Sequence, residues 1–295
     1  MRVWIMAARL RTLPATVAPV LVGTALAVTE GTFRALAFIA ALLGALFIQV
    51  GTNLSNDYSD ARRGADTEDR LGPVRVTAGG LVPPQRVLIA TYLSFAVAVA
   101  CGIYLVVVAG PELLAVGGAS ILAGVLYTGG PRPYGYEGLG EVFVFLFFGI
   151  VAVTGSYFVQ RQRLEWEAFA LAVPVGLLAA AILVVNNVRD LETDRRAGKR
   201  TLAVRLGRER TRKLFAAMVG LAFVSAPLPW ILGSLSAWLL LCLLAVPLGL
   251  RVVAIVRRRT DGGALNGALA ATALLELVFC LLLAAGVLAQ GPAGR

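Results

Sequence analysis

Two short polar stretches interrupt apolar runs of about a membrane's length, and their residue types are those of a hard-cation site. The first is Asn53-Leu54-Ser55-Asn56-Asp57-Tyr58-Ser59-Asp60, the second Asn186-Asn187-Val188-Arg189-Asp190-Leu191-Glu192-Thr193-Asp194. Ionisable groups at a transmembrane segment are costly and by default mark function. At 100° per residue, Asn53, Asn56, Asp57 and Asp60 fall within about 100° of helical arc, and Asn187, Asp190 and Asp194 within about 60°. Each cluster can therefore turn one face to a bundle interior. Two facing groups of carboxylates repel in a low dielectric, so something positive must sit between them. Oxygen donors without sulfur or imidazole favour a hard divalent ion, and Mg2+ characteristically joins a few carboxylates to substrate phosphates. Arg70, Arg75, Arg132, Arg189, Lys199 and Arg200 lie on the same predicted face, and guanidinium groups match phosphate oxygens two at a time. Acids beside bases at one membrane face point to a metal-diphosphate site, although any single loop arginine is explained by topology alone.

The elements that must carry these clusters are membrane helices. Of 295 residues, 58% are hydrophobic and 15% charged, and the mean hydropathy is +0.81, far from a soluble domain. Nine apolar stretches predict spans at 14–29, 34–56, 86–109, 113–129, 139–160, 167–187, 212–232, 236–256 and 264–288. With the N-terminus in the cytoplasm, every lysine and arginine except Arg34, Arg161, Arg163 and Arg295 falls on the inner side, as the positive-inside rule requires. The net charge of +10 is thus topological and calls for no nucleic-acid partner. No small-residue cleavage site follows the basic N-terminus, so the first span is expected to be its own insertion signal.

Histidine is absent, which excludes imidazole bases, haem ligation through histidine and Ser-His-Asp triads. Cys101, Cys242 and Cys280 stand in apolar runs without CxxC spacing and read as core residues. Trp4, Trp166, Trp230 and Trp238 sit at span ends as interfacial anchors. Tyr127 opens a third inner loop, 127–141, whose glycines and prolines prevent continuous helix and whose tyrosines suit a flat ring, or simply an interfacial turn. Spans one to four and five to eight can be read as two halves, each giving one acid cluster from its second helix. Glu276, alone in the last span, is assigned no role.

At these residues the chain resembles the UbiA superfamily of intramembrane aromatic prenyltransferases. Asn56-Asp57-Tyr58-Ser59-Asp60 is similar to its first signature and Asp190-Leu191-Glu192-Thr193-Asp194 to its second. The stretches 49–60, 64–75, 138–141, 187–190 and 198–202 resemble the branch that prenylates 1,4-dihydroxy-2-naphthoate in menaquinone synthesis. The broader family pattern often has an aspartate where Gly64 stands, and Asp66 or Asp69 could substitute. The resemblance implies an all-α polytopic membrane bundle of nine transmembrane helices around a central cavity open to the cytoplasmic face, a single membrane-embedded domain over 1–295. It implies an enzyme of the cell membrane that uses Mg2+, polyprenyl diphosphate and an aromatic acid acceptor. Its metal ligands would come from Asn56, Asp57, Asp60, Asp66, Asn187, Asp190 and Asp194, with Asp60, Asp190 and Asp194 catalytic. Substrate would meet Asn53, Arg70, Arg75, Tyr127, Arg132, Arg189, Lys199 and Arg200. Other acceptors (4-hydroxybenzoate, homogentisate, haem) remain open within the superfamily, and a cation-coupled transporter outside it.

Overall fold

Hydrocarbon offers no partners to backbone polar groups, so apolar runs of this length must satisfy them internally as helix. The computed structural model describes residues 2–65 and 71–291, and every regular element among them is helical. In chain order these are α1 (Arg2–Ala8), α2 (Pro14–Thr29), α3 (Ala35–Arg62), α4 (Pro84–Ala109), α5 (Glu112–Leu126) and α6 (Gly140–Val144). A π-helical segment (Phe145–Val151) leads into α7 (Ala152–Arg161), then α8 (Trp166–Arg196), α9 (Leu202–Leu206), α10 (Arg208–Ser225) and α11 (Leu228–Ile231). A 3-10 run (Ala237–Ala245) precedes α12 (Val246–Arg258), and α13 (Gly262–Ala289) closes the bundle.

Each expected span coincides with helix, but among the described residues seven helical runs are long and apolar enough to cross a membrane. The shorter two, α2 and α5, have 16 and 15 residues. At 1.5 Å per residue these reach about 24 and 23 Å, less than a hydrocarbon layer of ~30 Å. By contrast α3 and α8 run on to Arg62 and Arg196, past the expected ends at 56 and 187. The acid clusters therefore ride on continuous helix rather than on loops.

Helix α8 is the centre. Leu171, Val175, Leu178, Val184 and Val185 are fully buried with Phe215 of α10 and Leu275, Phe279 and Leu283 of α13. A Cβ on Gly149 would lie 2.5 Å from the Cα of Gly176, so the π-helical segment crosses α8 in backbone contact, the approach that small residues permit. Glu276 is fully buried in this core, and neither of its oxygens has a hydrogen-bond partner among the described residues. A smaller core of Leu54, Val76, Val82 and Val87 folds the segment after the first cluster back onto α3. Asp261 caps α13 by accepting from the Ala264 N–H at 2.8 Å and from Arg259 at 2.8 Å. Those two bonds, Arg259 first, hold its carboxyl below the usual carboxylate range. At the opposite end of the bundle Glu30 joins α2 to α7 through ion pairs with Arg161 and Arg163 at 3.0 and 3.1 Å.

Candidate active site

The C-terminal turns of α3 and α8 reach the same end of the bundle and bound one cavity of about 510 Å3. Its polar end is lined by Asn53, Asn56, Asp60, Arg75, Tyr127, Asn187, Asp190, Asp194 and Lys199. The remainder is apolar, bounded by Phe147, Phe148 and Val151 of the π-helical segment, by α4 and by the glycine-bearing face of α5. Between the two, Tyr127, Tyr134, Phe143 and Phe147 form a ladder of rings: 5.5 Å edge-on, then 3.9 and 6.1 Å stacked. Burial pushes the Tyr134 phenol above its ordinary value, so it serves as a donor, to the Ala123 carbonyl at 2.9 Å. Tyr127 is held between Gly135 and Gly140, where a Cβ would come within 2.9 and 3.2 Å of its ring.

Asp60 is the focus of the first cluster and is 1% exposed. Its Oδ1 accepts from the Tyr136 hydroxyl at 2.5 Å, while Oδ2 lies 3.3 Å from Arg75 and 3.6 Å from Lys199. Lys199 also stands 4.8 Å over the Tyr136 ring. Asn56 accepts from the Thr128 hydroxyl at 2.8 Å. Asn53 donates to the Ala8 carbonyl at 3.0 Å and to Thr12 at 3.3 Å, fastening the N-terminal segment to α3. Tyr136→Phe keeps the ring under Lys199 and removes only the bond to Asp60. A hydrogen bond to a charged group contributes ~1.5–3 kcal/mol to stability, so a melting curve should show the thermal midpoint lowered by several degrees.

Asp57 is placed differently from its neighbours. Its carboxylate faces away from the cavity and accepts from the backbone N–H groups of Val76 and Thr77, at 3.1 and 2.8 Å. These bonds fix the chain immediately after Arg75. Asp57→Asn leaves one of the two N–H groups facing an amide donor, a loss of about 2 kcal/mol. A lower thermal midpoint is expected, read from melting curves.

In the second cluster Arg189 is 3% exposed and lies outside the cavity lining. It holds both oxygens of Asp190, through Nε at 2.8 Å and Nη2 at 2.5 Å. Asn186 and Asn266 supply further acceptors at 2.8 Å each. Asn187 donates to Glu141 at 2.8 Å. The Arg132 and Arg200 side chains are exposed and do not line the cavity. Asp66 and Arg70 lie outside the described residues. Thr128, Tyr136, Glu141 and Asn266 join the site without having been named individually; Thr128, Tyr136 and Glu141 lie within the Gly/Pro-rich third loop and so carried a local signal, whereas Asn266 carried none.

Among the described residues no three carboxylates or thiols come close enough to hold an ion unaided. Amide and carboxylate oxygens of Asn56, Asp60, Asp190 and Asp194 nevertheless line one polar cavity end beside two cations. This donor set fits Mg2+, which takes one or two carboxylates and completes its shell with phosphate oxygens and water.

Residues 16–274 match the model of the UbiA prenyltransferase family. A 1,4-dihydroxy-2-naphthoate octaprenyltransferase of Mycobacterium tuberculosis is 43% identical over 288 residues, covering 98% of this chain and 97% of that protein. The Escherichia coli protein of the same name is 38% identical over 290 residues, covering 96% and 94%. The fold is shared with a UbiA homolog from Archaeoglobus fulgidus solved bound to DMAPP and Mg2+. That match has a TM-score of 0.65 at 14% identity over 95% of this chain and 98% of that one.

Proposed function

The chain belongs to the UbiA prenyltransferase family, and from that premise we propose that it prenylates 1,4-dihydroxy-2-naphthoate. The prenyl group comes from polyprenyl diphosphate, and the products are CO2, diphosphate and demethylmenaquinone in its reduced, quinol form, which air converts to the quinone during extraction. The observation that carries the reading is the single cavity with two acid clusters at one end and an aromatic and apolar passage leading away from them. The near full-length relatives of that name support the choice of acceptor. An exchange of one carrier state for another, as in a transporter, has less support, because α3 and α8 run unbroken through the acids whereas transporter sites favour interrupted helices.

The residues divide the work. Asn56, Asp60, Asp190 and Asp194 would hold Mg2+, which when bound offsets charge growing on the departing diphosphate. Arg75 and Lys199, already at Asp60, take phosphate oxygens as the leaving group gains charge. The allylic C1–O bond breaks with its electron pair passing to diphosphate. Tyr127, Tyr134 and Phe143 present π faces that stabilise the allylic cation, and Phe147, Phe148 and Ile182 keep water from it. The naphthoate ring carbon supplies the new bond's electron pair, and loss of CO2 from the substituted carbon restores aromaticity. The departing CO2 leaves its bonding pair in the ring, so both hydroxyls stay on the product and no histidine base is required, in keeping with a chain that has no histidine.

The whole chain would act as one domain in the cell membrane, crossing it nine times with α2 and α5 as short crossings. The N-terminus and acid clusters would face the cytoplasm. Incubation in nanodiscs with polyprenyl diphosphate, Mg2+ and a panel of aromatic acids tests the function. Mass spectrometry should find demethylmenaquinone from the naphthoate and no prenylated 4-hydroxybenzoate or homogentisate; the reverse preference would reassign the acceptor.

A further inference from the structure

Asn266 belongs to neither acid cluster and does not line the cavity, yet its side chain joins the two sides of the site. It stands in the second turn of α13, just beyond the Asp261 cap. Its amide oxygen accepts from Arg189 Nη1 at 2.8 Å, and its amide nitrogen donates to the Leu71 carbonyl at 2.9 Å. On one side Arg189 grips both oxygens of Asp190. On the other, Leu71 opens the segment that ends in Arg75, the partner of Asp60. The Leu71 side chain also rests on α13, where a Cβ at Gly262 would come within 3.1 Å of it.

The chemistry of the link is selective. A guanidinium has only donors and requires an acceptor; a backbone carbonyl has only lone pairs and requires a donor. An amide serves both at once, and only one orientation of the Asn266 amide does so here. A carboxylate would satisfy Arg189 and repel the Leu71 carbonyl. An apolar side chain would satisfy neither.

We propose that Asn266 is a positioning residue that couples the 71–75 segment to the Arg189–Asp190 pair, so that Arg75 and Asp190 are set together across the cavity. The inference rests on the metal-diphosphate reading of the site and adds to it a mechanical connection between its halves. Residues that orient ligands from behind typically change metal affinity or activity by about 10- to 100-fold when removed.

Asn266→Asp and Asn266→Ala separate the two bonds. In nanodiscs, hydrogen exchange across residues 71–77 should quicken in both variants, and KM for polyprenyl diphosphate should rise about 10-fold with kcat within about 3-fold. Mn2+ binding, followed by electron paramagnetic resonance without substrate, should stay within about 2-fold of wild type in the Asp variant and weaken about 10-fold in the Ala variant. Unchanged exchange and KM in both variants overturn the coupling, as does an Asp variant that loses Mn2+ as fully as the Ala variant. If the Ala protein does not insert, the Asp variant alone decides, through faster exchange with retained Mn2+. A wild-type protein that neither binds Mn2+ nor forms product would instead remove the proposed function. The exchange data, needing neither metal nor substrate, would still judge the link to Leu71.

Discussion

Asp60→Asn should reduce kcat for prenyl transfer about 1,000-fold without raising KM for polyprenyl diphosphate, the size expected when charge is removed from a preorganised site. The substitution is isosteric, and an asparagine oxygen still accepts from Tyr136, so the turn of α3 keeps its anchor. What disappears is the negative charge facing Arg75 at 3.3 Å and Lys199 at 3.6 Å. Those side chains are 9% and 10% exposed and, freed from Asp60, would exert a stronger pull on the diphosphate. Ground-state binding is therefore kept or tightened, while a carboxylate proposed to hold Mg2+ is replaced by a neutral amide. A drop in kcat at constant or lower KM is the signature of an interaction made in the transition state. Single-turnover rates in nanodiscs at saturating substrate would decide it: a rate within 10-fold of wild type removes Asp60 from the centre of the reaction.

Much of this site could be read from the residues because acids in an apolar run have few bland explanations. Asn56, Asp60, Asp190 and Asp194 were placed by that logic and share one cavity end. Asp57 could not be separated from Asp60 in the same way, since both lie within one helical arc. Only the return of Val76 and Thr77, about twenty residues later, gives its carboxylate a different task. Arg189 shows the converse difficulty. A basic residue beside an acid cluster reads as a phosphate ligand, but here its neighbour Asp190 and two amides occupy the guanidinium.

Arg132 and Arg200 were drawn in by a charge excess that topology imposes on every inner loop, and that excess does not say which arginine turns inward. Hydropathy located the helices but not their ends, because α3 and α8 continue helically through polar residues that a window of apolar content excludes. Asn266 was invisible for a simpler reason: it lies 77 residues from Arg189 and 195 from Leu71, with nothing local to distinguish it from a helix-surface asparagine.

Replacing Asp190 should have two effects that a second substitution pulls apart. Asp190→Ala removes a proposed metal ligand, and activity should fall by at least about 100-fold. It also leaves the Arg189 guanidinium, 3% exposed, with two neutral amide oxygens in place of a carboxylate. Breaking a buried pair from one side costs about 3–5 kcal/mol, whereas replacing both partners with apolar groups of similar volume is often neutral. The double variant Arg189→Met/Asp190→Ala should therefore recover most of the thermal stability that the single variant loses, and none of its activity. Asp194→Asn, which leaves the Arg189–Asp190 pair intact, should lose activity with little change in stability. Melting curves and turnover on wild type, Arg189→Met, Asp190→Ala and the double variant close a double-mutant cycle in which the coupling energy belongs to the pair, with Asp194→Asn as the control. A double variant as unstable as Asp190→Ala would mean that the buried guanidinium is satisfied by Asn186 and Asn266 alone, and that the stability lost with Asp190 does not come from its pairing with Arg189.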